Sequence, residues 1–360
     1  MNGLIILKTS SFGKNVVGLH LSLRYLEKCG ISCYNWQMKN FWQKLPKPFL
    51  VLSPMVGVTD LPFRLICKKY GADVVYTEMI MVQALAHRNK KTIKLAAIDK
   101  KERPVVLQLG GNDPELFYQA AKIAAEEIKP SGIDLNFGCP AKKVAGHGSG
   151  VALLRDLNCS REIIQATIEG ARGLPVSLKT RTEIKAKDKS KTHCSLELID
   201  KVKDLPIAAI MIHGRSFEAP WVEKVNYDYI KEARKAWPGI LIANGGIDSP
   251  GKAKEVLLLT KADGISIGHG VYGQPWIFNQ IKEYLETGKF TEPVWEKRRQ
   301  VALEHAGLAF KLKGDHGLIE LRKQLLWYVK GLPHATDYRS SLVRLTTVGE
   351  IEKALMEINP

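Results

Sequence analysis

Long apolar runs are missing from this 360-residue chain; no stretch approaches the ~18–20 uninterrupted residues of a membrane-spanning helix. Cysteine is sparse too. Six are scattered at positions 29, 33, 67, 139, 159 and 194, too thinly for a disulfide scaffold, which points to a reducing, cytoplasmic setting. The closest pair, Cys29 and Cys33, has no second pair of ligands after it, so no metal site is expected there. His193-Cys194 falls in a polar, lysine-rich stretch that reads as an exposed loop. Acidic residues are in short supply: 37 Asp and Glu against 53 Lys and Arg leave a formal charge of +16, which suits a polyanionic partner. A glycine-rich dinucleotide turn is absent as well; after the first apolar run stands Ser53-Pro54-Met55-Val56-Gly57-Val58-Thr59-Asp60, which argues against an open dinucleotide-binding sheet. The apolar run Leu4–Leu7 is too short for a signal-peptide core, and residues 1–46 read as an N-terminal extension of which 1–37 are dispensable.

From Phe49 onward the chain alternates short apolar runs with helix-like segments. The strand candidates are Phe49–Met55, Val74–Met79, Pro104–Gly110, Gly132–Gly138, Pro175–Arg181, Ala208–Gly214, Ile240–Gly246 and Ala262–Gly268. Each is a continuous run of branched and small apolar residues, as expected of parallel strands covered on both faces. Between them lie amphipathic segments such as Pro114–Lys129, Ser160–Arg172 and Pro250–Thr260, two of them opened by the cap pairs Asp113-Pro114 and Ser249-Pro250. Strand followed by helix, eight times over residues 47–288, predicts an α/β fold of the (β/α)8 or TIM-barrel type. After Lys289 the strand pattern stops. Trp295–Lys311, Leu318–Lys330 and Val348–Glu357 have helical spacing, so residues 289–360 are read as a small C-terminal helical bundle.

A barrel gathers the carboxyl ends of its strands into one mouth, and here those ends are polar: Met55, Glu78, Gln108, Asn136 with Cys139, Lys179 with Arg181, His213 with Arg215, Asn244-Gly245-Gly246 and Gly268-His269-Gly270. Taken singly, each has a structural explanation: Gln108 as a satisfied core amide, His213 as a core imidazole, Asn244-Gly245-Gly246 as a tight turn. Lys179 is harder to dismiss, because an ammonium after an apolar strand is costly without an anion or water. The glycines of the last two loops let a phosphate approach the backbone, and Gln108, Lys179 and His213 suit the polar edge of a flat heteroaromatic ring. Flavin mononucleotide fits that combination. Cys139, closing Asp134-Leu135-Asn136-Phe137-Gly138-Cys139-Pro140, is either a small buried residue or a thiol positioned to give a proton to carbon.

These motifs resemble the dihydrouridine synthases, flavin enzymes that reduce uridines in tRNA. The resemblance is carried by Ser53–Asp60, Gln108-Leu109-Gly110, Asp134–Pro140, Lys179-Thr180-Arg181, Ile212-His213-Gly214-Arg215, Asn244-Gly245-Gly246-Ile247, Gly268–Trp276 and, in the tail, Arg322–Gly331. It implies that Ser53, Pro54, Met55, Gln108, Lys179 and His213 meet the flavin ring, that Asn244, Gly245, Gly246, Gly268 and His269 hold its phosphate end, and that Cys139 donates the proton. Asn136 and Arg181 would lie near the substrate base, with no metal. It further implies NADPH, or NADH, as reductant, a helical tail that binds RNA, and no obligatory protein partner. The chain departs from the family pattern in having Ser53 where Ala is usual and His269 where Arg is usual. A neutral imidazole cannot supply the fixed charge of a guanidinium. Three alternatives stay open at this level: a flavin barrel acting on a free pyrimidine, a synthase acting on ribosomal RNA, and a non-catalytic RNA-binding barrel.

Overall fold

The computed structural model describes residues 40–219 and 224–359. The predicted extension 1–37, with Cys29 and Cys33, lies outside them. Eight parallel strands close on themselves, as expected: β1 (Phe49–Leu52), β2 (Val74–Met81), β3 (Val105–Gly110), β4 (Gly132–Phe137), β5 (Val176–Arg181), β8 (Ala209–His213), β9 (Ile240–Asn244) and β10 (Gly264–Ile267). Around the ring they run β1-β10-β9-β8-β5-β4-β3-β2, so the final strand pairs with the first. The numbering skips two strands because β6 (Glu183–Lys185) and β7 (Thr192–Cys194) form a separate antiparallel hairpin after β5. His193-Cys194 therefore belongs to a strand and not to an irregular loop; the pairing of Ile184 with His193 orders it, and Ile184 is fully buried.

The interior of the barrel is graded from end to end. Successive residues of a strand face opposite sides, so every second side chain points to the axis. At the amino ends those side chains are apolar: Phe49, Val51, Val74, Tyr76, Val106, Met211, Ile240 and Ile242 form one buried cluster. Trp42 closes this floor, fully buried against Phe49 and Tyr76 at ring distances of 5.7 and 6.4 Å. The short helical turn Phe41–Lys44 that carries it is capped by Asn40, whose side chain accepts from the Trp42 N–H. The packed fold thus begins ahead of Lys47, because the barrel end needs a plug that the strands do not supply.

The predicted caps form. Asp113 accepts from the N–H of Leu116, and Ser249 from that of Lys252. The Leu157–Gly170 helix starts three residues before Ser160 because the Asp156 carboxylate caps it through the N–H groups of Asn158 and Cys159. Pro114–Lys129 divides into an α-helix, Pro114–Ile123, and a π-helical turn, Ala124–Ile128.

The tail comprises Trp295–Lys313, Asp315–Tyr328, Ala335–Leu342 and Val348–Met356. The third helix, short and polar, was not apparent in the sequence. Trp295 Nε1 donates to Ile358 O at 3.0 Å and ties the first tail helix to the chain's end. The core of the tail includes Ile66, Tyr70 and Trp276, which belong to barrel connections, so the two regions share one hydrophobic cluster. Lys313 reinforces the seam, 2.9 Å from Asp60 and also paired with Glu320.

Candidate active site

At the carboxyl ends of the strands opens a cleft of about 1140 Å³. Ser53, Pro54, Met55, Gln108, Asn136, Cys139, Lys179, Arg181, His213, Asn244, Gly245, Gly246, Gly268 and His269 all line it. The structure therefore brings these fourteen residues to one place, and of the expected strand ends only that of Glu78 is missing from it.

One hydrogen-bonded chain runs from the barrel axis to the backbone of the Cys139 turn. Asp134 is fully buried and accepts from Ser177 Oγ at 2.7 Å and from Gln108 Nε2 at 2.9 Å. An ionised carboxylate only accepts, so it fixes which way the Gln108 amide faces. Gln108 Oε1 then accepts from Asn136 Nδ2 at 2.9 Å, and Asn136 Oδ1 accepts the backbone N–H groups of Gly138 and Cys139 at 3.2 and 2.8 Å. Asn136 thereby holds the Cys139 turn, and its carbonyl is spent on that task. Arg181, also buried, donates from Nε to Gly138 O at 2.9 Å and from Nη1 to Ser216 O at 3.2 Å, bracing the same turn. Cys139 itself is half-buried in the cleft wall.

A second network holds the β9–β10 side. Asn244 Nδ2 donates to Ser53 Oγ at 3.0 Å and Ser266 O at 2.8 Å, while Asn244 Oδ1 accepts from Lys179 Nζ at 3.3 Å. Burial, then the nearby Arg181, brings the Lys179 ammonium down to about 8; Asp134 opposes that drop. Burial also holds Asp134 up at about 6. His213 sits far below the usual imidazole range, first by burial and then by the nearby Lys179, Arg181 and Arg215, so it is neutral. Its buried Nε2 has no hydrogen-bond partner among the described residues. Gly245 and Gly246 take φ of +116° and +68°, and a methyl on Gly245 would lie 2.7 Å from His213 Cδ2. These glycines keep the backbone close and bare beside that ring.

The sequence misplaced one strand end. Tyr76 pairs with Val106 but Met79 pairs with Gln108, so β2 carries an extra residue opposite β3. This bulge turns Glu78 out of the cleft and puts Met79 into it. Glu78 instead lies buried, its carboxyl raised by desolvation and then by Asp60. The tail supplies the other unforeseen residues: Arg298, Trp327 and Lys330 line the cleft, and Trp327 stacks on Tyr272 at 3.8 Å and 2° between planes. Their signal was the tail's basic and aromatic composition, which carries no address.

The model of the dihydrouridine synthase family matches residues 51–359, spanning barrel and tail alike. The chain belongs to the dihydrouridine synthase family. Among curated relatives it is 35% identical over 296 residues to a probable tRNA-dihydrouridine synthase of Rickettsia conorii, covering 81% of this chain and 88% of that one. It is 36% identical over 300 residues to tRNA-dihydrouridine synthase B of Pseudomonas syringae, with 82% and 87% covered. The counterpart of Vibrio vulnificus is 34% identical over 326 residues, with 90% and 95% covered. Among solved structures, histamine dehydrogenase from Rhizobium sp. 4-9 superposes with a TM-score of 0.50 at 11% identity over 72% of this chain and 48% of that chain, a likeness of fold alone. In this dihydrouridine synthase fold, His269 is exposed and packs 5.0 Å from Tyr272. Partial burial and then the nearby Arg215 hold His269 below the usual imidazole range, so the fixed charge on this side of the cleft is that of Arg215.

Proposed function

We propose that this protein reduces the C5=C6 bond of uridine in tRNA to 5,6-dihydrouridine, with flavin mononucleotide resident in the cleft and NADPH, or NADH, as the reductant. The observation that carries this reading is a half-buried cysteine whose backbone turn is held by a directional hydrogen-bond chain, in the same cleft as Lys179 and a neutral imidazole with no Nε2 partner among the described residues, in a chain of this family. The residues fit the group. Lys179 and the His213 edge suit the polar side of an isoalloxazine, and the bare Gly245-Gly246 backbone with Arg215 suits a phosphate. When bound, the flavin supplies hydride to C6.

The chain's own residues supply the rest. Hydride at C6 sends negative charge toward C5 and O4, and the Cys139 Sγ proton goes to C5. Asn136 and Arg181 fix the turn on which that thiol sits, so little reorganisation is needed when the base arrives. The target uridine must leave its stack to enter a barrel mouth. Arg298, Lys330 and Trp327 at the rim favour a polyanion with stacked bases over a free pyrimidine.

Cys139→Ala tests this reading. NADPH should bleach the bound flavin at the wild-type rate, while dihydrouridine formation, followed by mass spectrometry of digested tRNA, falls by about 10²–10⁴-fold. Unchanged dihydrouridine formation removes the thiol from its role.

A further inference from the structure

The hairpin after β5 is not used by the chemistry, and its composition is unusual. Within Lys185–Lys191 lie four lysines, at 185, 187, 189 and 191, against the single acid Asp188, and all four are exposed. The acids that face it are already engaged. Asp188 accepts from both the N–H and the hydroxyl of Ser190, Glu218 accepts from the Lys185 N–H, and Glu197 lies 3.6 Å from Lys191.

This hairpin is rigidly seated. Ile184 is buried in the core between barrel and helices, Phe217 N–H donates to Glu183 O at 3.0 Å, and Ala186 N–H donates to Lys191 O at 2.7 Å across the turn. Arg155 Nε donates to Lys185 O at 2.8 Å and joins the hairpin to the segment that follows the Cys139 turn. On that turn, Lys142 and Lys143 are exposed as well. The connections after β4 and β5 thus both carry exposed lysines and are joined by the Arg155 bond.

Strand order places these connections. In the ring β1-β10-β9-β8-β5-β4-β3-β2, β5 stands diametrically opposite β1, and β4 opposite β10. The tail is fastened to the connections after β1 and β10, through Asp60–Lys313 and through Tyr272–Trp327. The lysine hairpin and the tail are therefore the two facing banks of one mouth, with the Cys139 cleft between them. A polynucleotide seated over the thiol has cationic side chains on both sides of it.

We propose that the β6–β7 hairpin is a second phosphate-binding bank that grips the tRNA backbone across the mouth from the helical tail. This rests on tRNA being the substrate. Lysines on a fixed hairpin suit phosphates, since they need no base-edge geometry and act through counterion release.

The test replaces Lys187, Lys189 and Lys191 by glutamine in the flavin-loaded enzyme. A control of equal charge loss, Lys100→Gln, Lys101→Gln and Lys129→Gln, lies on connections leading into β3 and β4, at the floor end. Direct tRNA binding is followed by fluorescence anisotropy over a salt series, alongside KM and kcat for dihydrouridine formation and the rate of flavin bleaching by NADPH. The hairpin variant should bind tRNA on the order of tenfold more weakly near physiological salt, and its plot of log Kd against log salt should flatten by about two to three. KM should rise in step, while saturating kcat and flavin bleaching stay at wild-type values. Equal Kd and salt slope in the two triple variants overturns the proposal. Should the wild-type enzyme bind tRNA but leave its uridines unreduced, the reading of the reaction fails, and the binding comparison still decides the hairpin's role.

Discussion

The two ends of the same eight strands are built by opposite rules. At the floor, axis-facing side chains are apolar and Trp42 seals the gap they leave; at the mouth, the same alternation delivers Gln108, Asn136, Lys179, His213 and Asn244. The floor is held by shape, where a missing ring leaves a void. The mouth is held by hydrogen-bond direction, where a missing acceptor leaves amides free to turn. A barrel can therefore carry a reactive end because its other end supplies the stability.

Three substitutions would break or sharpen this contrast. Trp42→Ala should cost the most stability, about 3–5 kcal/mol in denaturant melts, while turnover per folded molecule stays unchanged. A parallel loss of turnover would mean that floor and mouth are not separable. Asp134→Asn should act in the reverse sense. The folded value of about 6 lies above the ordinary carboxylate value, so the native state keeps a proton that the unfolded chain releases. The stability linked to this group is fully present below the ordinary value and is lost as pH rises through about 6. The asparagine variant should gain on the order of 1–3 kcal/mol at pH 7, lose this pH dependence between about 4 and 6, and reduce tRNA more slowly, because Lys179 loses its buried anion. Melts across that pH range with parallel turnover assays check all three outcomes.

The smallest stability effect belongs to Gly150→Ala, at about 1–2 kcal/mol. Gly150 has φ of +63°, and an added methyl would lie 2.9 Å from Cys139 O and 3.1 Å from Cys139 Cβ. Flavin content should hold while transfer to tRNA slows about 10–100-fold, read from single-turnover dihydrouridine formation. Normal transfer in this variant would show that the thiol's placement tolerates a shift of its turn.

The eight strands were legible because parallel strands bury both faces and so appear as unbroken apolar runs. Once they close into a ring, the positions of Gln108, Asn136, Lys179, His213 and Asn244 follow from period two alone. The bulge in β2 was not legible, since its extra residue is defined only against β3; hence Glu78 was expected in the cleft and Met79 found there. The β6–β7 hairpin and the Ala335–Leu342 helix were missed because both are short and polar, stabilised by contacts elsewhere in the chain. Trp42 escaped because one aromatic before the first strand has no period at all. The direction of the Asp134–Gln108–Asn136 chain was equally hidden, although its members stand two residues apart on β4 and beside it on β3.

Ile66, Tyr70 and Trp276 leave the barrel surface to complete the core of the tail. A helical bundle that borrows part of its interior from its host is no cassette: transplanting it onto another barrel would leave three holes in the graft and three greasy side chains bared on the donor. Heredity can redecorate such an appendage helix by helix, but it must inherit the seam whole.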